Sequence, residues 1–333
     1  MNKFINSPEN LISEMISGYI KAFGNSYYKL ENYNGIIYKN KKEKVSIVTG
    51  GGSAGEPWCI GVCGEGMSDG VAVGNVFCAP SATNIFAVCN EVYNKKGILL
   101  ITGNHTGDLL NFELGKELFL LENNVECKLL LVTDEITSAS KSQKNKRRSL
   151  SGISTIIFIA SAVANALLPL DEVYRITKKA NDNLSTISAT LSLGSNPVTG
   201  YKMGEIKDGE VHIGMGATGE PGIRIEKFVN EKTITRLLID YLVKDLDLKE
   251  NDEIALIVNG MGTVSVLEEL LICNSSIDYL TEKRIKIFDT DICEKLKVQE
   301  TNGISISLMK LDKELKQYYK GKANTPLLYK NHY

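Results

Sequence analysis

Apolar residues near the start of the chain recur at helical spacing: Leu11, Ile12, Met15, Ile16, Tyr19, Ile20 and Phe23 share one stripe. Ser7 stands where a cap belongs, Pro8 and Glu9 suit a first turn, and Gly24 supplies a stop, so the spacing predicts a helix over 7–24. The period then changes. Residues 45–49 (VSIVT) are a short β-branched run that gives way to Gly50-Gly51-Gly52-Ser53, which reads as a strand followed by a glycine loop. The same arrangement returns at 97–102 (GILLIT), which leads into Gly103, and at 127–133 (CKLLLVT), which leads into Asp134 and Glu135. Helical segments over 83–94 and 108–123 separate these runs. Continuous apolar strands that end in polar loops point to a sheet covered on both faces.

Beyond helices over 154–168 and 169–184, the alternation restarts with apolar runs at 187–193, 212–214, 253–258, 284–288 and 304–310. The expected fold class is α/β, with two α/β domains, each a mainly parallel or mixed sheet flanked by helices. A boundary near 180 gives an N-terminal domain over 1–180 and a C-terminal domain over 181–333. The length of 333 residues agrees, because single cores stop growing below it. The periods do not repeat closely enough for an internal duplication.

Composition narrows the function classes. With 43% hydrophobic and 23% charged residues the chain folds rather than staying disordered, and a net charge of −2 does not suit nucleic acid. The longest basic run, KSQKNKRR at 141–148, reads as a solvated surface loop. Seven cysteines stand singly and only three histidines accompany them, which argues against a structural zinc site. The opening MNKFINSPEN resembles no signal peptide, so reduced thiols and a cytoplasmic location are expected. The apolar stretch 153–168, short and interrupted by Ser154, Thr155, Ser161 and Asn165, reads as a buried helix and not a membrane span.

Gly50, Gly52 and Gly55 spell a G-x-G-x-x-G after a strand, the pattern of a dinucleotide-binding turn. Such a turn must open a helix, and here Glu56-Pro57 and the glycine-rich stretch 61–74 follow instead. No G-x-x-x-x-G-K-[ST] occurs and no kinase residue set can be assembled, so no nucleotide cofactor is expected on this chain.

Five segments together resemble the substrate-binding subunit of dihydroxyacetone kinases: GGGSAGEP at 50–57, GEGMSDGVAVGNVF at 64–77, NHTGDLLNFE at 104–113, GMGATGEPG at 214–222 and NGMGT at 259–263. They fall in order across nearly the whole chain. The resemblance implies a site that binds a small ketose or polyol, a homodimer, and a phosphoryl donor, ATP or tightly held ADP, on a nucleotide-binding partner subunit. In that family one histidine forms a covalent hemiaminal with the ketone, and another histidine and an aspartate assist transfer. Here Gly55 stands in place of the loop histidine, Thr218 in place of the tethering histidine, and Gly103 where a lysine is usual.

The candidate ligand contacts are therefore Gly52, Ser53, Gly55, His105, Asp108 and Thr218, with Asp108 as the catalytic group that accepts or orients a hydroxyl proton. Phosphoryl transfer depends on positioning and electrostatics, so a covalent tether is not required for it. The expected activity is that of a non-covalent phosphotransferase subunit; the alternative is a non-catalytic paralogue acting as a sensor or transcriptional coactivator. Beside these stand plainer readings: Asp108 as a helix N-cap, and His212 as a hydrogen-bonded strand residue.

Overall fold

A computed structural model describes residues 3–292 and 295–331. The first helix, α1 (Leu11–Phe23), follows a short 3-10 turn, and Ser7 makes no side-chain capping bond, contrary to expectation. A six-stranded sheet follows, built from β1 (Tyr27–Lys29), β2 (Gly35–Tyr38), β3 (Ser46–Ser53), β4 (Gly70–Val76), β5 (Ile98–Gly103) and β6 (Cys127–Val132). Its order is β1-β2-β4-β3-β5-β6, and the four strands from β4 to β6 run parallel.

Both faces of this sheet are apolar, as its continuous hydrophobic runs require. Val48, Ile98 and Leu100 pack against α2 (Ala82–Val92) and α3 (Thr106–Asn123), while the alternate residues Ile47, Leu99 and Ile101 join a second core on the opposite face. That second core is filled by α1, by α4 (Ile153–Asn165) and by α5 (Leu170–Asp182). Eleven of the thirteen residues of α4 are buried, which is why its sequence is hydrophobic all round.

The second sheet comprises β7 (Leu184–Ser192), β8 (Glu210–Ile213), β9 (Arg224–Lys227), β10 (Glu253–Gly262), β11 (Lys286–Ile292) and β12 (Asn302–Lys310) in the order β11-β10-β12-β7-β8-β9. It is mixed, with β10 and β11 the parallel pair. Two helices absent from the sequence reading, α6 (Glu231–Asp245) and α7 (Val266–Glu282), cover Ile254, Leu256, Ile306 and Leu308 on one face. The other face meets the α4 core through Ala255, Ile257 and Met309. A last helix, α8 (Lys313–Tyr319), and a two-strand hairpin, β13 (Ala323–Asn324) with β14 (Tyr329–Lys330), complete the chain. The fold is thus α/β with two mixed sheets flanked by helices, and no described helix is long and apolar enough to cross a membrane.

Two strands run further than their glycines suggested. β3 continues through Gly50, Gly51 and Gly52 to Ser53, and β10 through Gly260 to Gly262. Glycine in a strand marks close approach of a neighbour. At Gly52 a Cβ would lie 2.8 Å from the backbone nitrogen of Cys78, so the chain leaving β4 can pass only over a glycine. The glycine-rich stretch 61–74, which the sequence reading assigned to no strand, contains the start of β4.

A larger correction concerns the end of 141–148: residues 141–143, 145 and 146 are exposed as expected, but Arg147 is not. Arg147 is 1% exposed and forms a two-pronged pair with Asp245 of α6, at 2.9 and 2.7 Å, while its Nε donates to the Ala139 carbonyl. Lys144 donates to the carbonyls of Asp182 and Leu184, and burial pulls its ammonium down to about 8. The segment is a clasp joining the strand β6 side of the molecule to α6. Its polar sequence hid this because the carboxylate it binds lies 98 positions away.

Candidate functional site

Because β3, β5 and β6 run parallel, the loops after Ser53, Gly103 and Val132 emerge on one edge of the first sheet, where ligands collect in such folds. The loop after β8 meets them from the second sheet. Between them lies a cavity of about 530 Å³, within the range of small-molecule sites. All six candidate residues line it, together with Gly103. His212 does not line it; it sits half-buried on β8 with Nε2 3.9 Å from Glu210.

Asp108 is the third residue of α3, so it is not the N-cap; His105 holds that position, without a side-chain capping bond. The Asp108 Oδ1 is out of solvent and has no hydrogen-bond partner among the described residues. Burial pushes this carboxyl up to about 6, with the charge of His105 acting in the opposite direction. A carboxylate in this condition accepts hydrogen bonds from a hydroxyl strongly and takes a proton readily near neutral pH. His105 Nε2 lies 3.3 Å from the Ser149 carbonyl.

Other candidates are placed differently. Ser53 is buried and its hydroxyl is engaged with the Gly74 carbonyl at 2.8 Å. At Gly55 a Cβ would come within 2.9 Å of Leu296 Cδ1, so Leu296 fills the space beside that position. Thr218 is exposed; its backbone nitrogen donates to Glu220 Oε2 at 3.0 Å. Glu220 is held below the usual carboxylate range: burial opposes this, but backbone N–H groups, the Thr218 hydroxyl and Arg148 outweigh it.

Sequence reasoning missed Leu296, Trp58 and Arg148 in the wall. Arg148 is bound by Glu135, with Nε and one terminal nitrogen each 2.9 Å from a carboxylate oxygen. Nearby, Asp134 receives the Ser149 hydroxyl and the backbone nitrogens of Leu150 and Gly152 at 2.9–3.0 Å, which fixes the turn that leads into α4. The available signal was the pair Asp134-Glu135 at a strand end. The described residues include no cluster of three or more histidine, cysteine or acidic side chains able to hold a metal. Of the cysteines, Cys59, Cys63, Cys89, Cys127 and Cys273 are buried free thiols, Cys78 is exposed, and Cys293 lies outside the described residues.

Comparison with known proteins agrees with this architecture. Residues 17–327 match the Dak1 domain. The chain is 32% identical over 330 residues to the dihydroxyacetone-binding subunit DhaK of the PTS-dependent dihydroxyacetone kinase 2 of Listeria innocua serovar 6a, with 98% of each chain covered. It is 31% identical over 328 residues to a D-erythrulose kinase of Mycolicibacterium smegmatis, covering 98% of this chain but 56% of that protein. Among solved structures, the dihydroxyacetone kinase operon co-activator Dha-DhaQ superposes with a TM-score of 0.89 at 24% identity over 96% of this chain and 98% of that one, a likeness of fold. The dihydroxyacetone kinase of C. freundii, solved with AMP-PNP and Mg2+, gives 0.88 at 25% identity over 99% of this chain and 61% of that one. With the domain matched across almost its full length and the substrate-binding subunit covered end to end, this chain belongs to the Dak1 family of dihydroxyacetone kinase substrate-binding subunits.

Proposed function

We propose that the chain is the substrate-binding subunit of a dihydroxyacetone-kinase-like phosphotransferase that holds a small ketose or polyol without a covalent bond. The observation that carries this reading is the Asp108 carboxylate, which lines the 530 Å³ cavity and has one oxygen buried and without a hydrogen-bond partner among the described residues. A substrate hydroxyl supplies the missing hydrogen. As that oxygen attacks the phosphorus of a donor presented by a partner subunit, the new P–O bond forms, the bond to the donor breaks, and the proton passes to Asp108. Donor binding belongs outside this chain, which has no phosphate-cradling loop of its own.

Thr218 replaces an imidazole at the tethering position, and a threonine hydroxyl is a much poorer nucleophile toward a ketone than an imidazole nitrogen. The substrate is then held by hydrogen bonds alone. A non-catalytic, ligand-sensing role has an observation of its own: Leu296 closes the space at position 55 and the Ser53 hydroxyl is already engaged, so fewer polar groups are left for chemistry.

Phosphorylation of dihydroxyacetone and erythrulose, measured with and without a nucleotide-bearing partner, tests the reading. Product is expected only with the partner. Borohydride treatment with dihydroxyacetone should leave the intact mass of the chain unchanged. Sugar binding by calorimetry with no product under any donor would establish the sensor instead.

A further inference from the structure

Leu296 and Val298 reach the cavity from the second half of the chain, on the segment 295–299 between β11 and β12. Three backbone bonds lace that segment to 54–58. The Trp58 nitrogen donates to the Lys295 carbonyl at 3.2 Å, the Lys297 nitrogen to the Gly55 carbonyl at 3.1 Å, and the Gln299 nitrogen to the Ala54 carbonyl at 3.4 Å. Asn259 of β10 grips the segment from its other end: its Oδ1 accepts from the nitrogens of Lys295 and Leu296 at 2.7 and 3.0 Å. Residues 295, 297 and 299 thus make the backbone bonds, and the alternate residues, Leu296 and Val298, line the cavity.

The patch they form presents carbon. Leu296 and Val298 are buried, and with Ala54, Trp58, Leu150 and Ile153 they belong to one core cluster while all six line the cavity. Its carbonyls are already engaged: those of Ala54, Gly55 and Val298 accept from the backbone nitrogens of Gln299, Lys297 and Thr301, and that of Leu296 accepts from Asn259 Nδ2. At position 55 a Cβ would lie 2.9 Å from Leu296 Cδ1 and 3.7 Å from Trp58 Cδ1, so carbon atoms border that place from two sides. A ligand hydroxyl set against such a surface gives up water for little in return. A methyl group set there gains from burial. Elsewhere in the same cavity Asp108 Oδ1 makes the opposite demand, since it is buried and lacks a donor among the described residues.

We propose that Leu296 and Val298 are specificity-determining residues, and that the cavity takes a small ketose or polyol with one alkyl end: a deoxy or methyl-branched compound. Its hydroxyl meets Asp108 and its alkyl end lies on the Leu296 patch. The inference deepens the substrate-binding reading given above and rests on it.

Calorimetry on the isolated chain with dihydroxyacetone and hydroxyacetone is the test, because hydroxyacetone carries a methyl in place of one hydroxymethyl group. Hydroxyacetone should bind about tenfold more tightly, although it has one hydroxyl fewer. Leu296→Asn puts an amide on the patch and should reduce that preference to about one or reverse it. Val298→Thr adds a hydroxyl at nearly constant shape and should shift the ratio severalfold in the same direction; it decides the matter if Leu296→Asn fails to fold. Equal affinities, tighter binding of dihydroxyacetone, binding of neither compound, or a ratio that Val298→Thr and a folded Leu296→Asn leave unmoved overturns the proposal. Turnover with a nucleotide-bearing partner separates the two readings. A preference that moves as expected in a chain without turnover upholds the patch and removes the kinase, whereas turnover of dihydroxyacetone with an unmoved ratio removes the patch and keeps the kinase.

Discussion

β3 and β10 both end in glycine-rich runs, Gly50-Gly51-Gly52 in the first sheet and Asn259-Gly260-Met261-Gly262 in the second, yet of the two the first lines the 530 Å³ cavity and the second does not. At Gly260 the space a side chain would need is taken by Glu269 of α7, whose Oε1 accepts the Gly260 N–H at 2.8 Å and would lie 2.2 Å from a Cβ. Asn259 points its side chain at 295–296: its Oδ1 accepts from the backbone nitrogens of Lys295 and Leu296, and its Nδ2 donates to the Leu296 carbonyl. The strand end in the second sheet is thus filled by its own chain, and it delivers Leu296 to the wall beside Gly55. A glycine run records that something comes close. Whether the visitor is a ligand or another part of the protein depends on residues far away in sequence.

The comparison can be broken most severely at the clasp that joins the two regions. Arg147→Met leaves Asp245 buried without its cation, and a loss of about 3 kcal/mol or more in unfolding free energy is expected by denaturant titration. Asp245 sits below the usual carboxylate range because, despite burial, Arg147 and Ser185 bind it. Its stabilising contribution is present above its unfolded value and fades as pH falls, so the penalty of Arg147→Met should shrink toward pH 3.

Next come the glycines themselves. Gly260→Ala must displace the buried Glu269 carboxylate and should cost roughly 1.5–3 kcal/mol, the worth of a hydrogen bond to a charged group. Gly55→Ala meets only the end of the flexible Leu296 side chain and should cost under about 1 kcal/mol. Equal costs measured by thermal unfolding would erase the distinction between the filled end and the open one.

The last effect has the opposite sign. Asp108 titrates near 6 in the folded chain against 3.8 for the free group, so the native state binds its proton more tightly than the unfolded state does. Stability associated with that group is full below its unfolded value and is lost as pH rises through about 6. Asp108→Asn should therefore stabilise the chain by roughly 1–3 kcal/mol at pH 7.5 and by nothing near pH 3.5, read from unfolding curves at the two pH values.

Much of this was legible in the chain. Continuous apolar runs separated by helical stripes place β3, β5 and β6 and the buried α4, because packing on both sheet faces leaves that pattern directly in the sequence, whereas β4 lay unread in the glycine-rich stretch 61–74. The cavity residues were found through motif resemblance, and the structure brings all six together. Less visible were α6 and α7, although Ser265 and Glu268 form a capping box that announces the start of α7. The clasp and Leu296 were not legible at all. Arg147 is polar by sequence and buried by virtue of Asp245, and nothing near Leu296 in the chain distinguishes it from any other apolar residue.

Turnover of Asp108→Asn with a nucleotide-bearing partner subunit tests the central claim most directly. Asn keeps the shape of the side chain and cannot accept the proton, so phosphorylation of the bound sugar should fall about a hundredfold or more while the chain stays folded. Turnover equal to that of the unaltered chain would remove Asp108 from the chemistry and, with it, the account of how this cavity works without a tether.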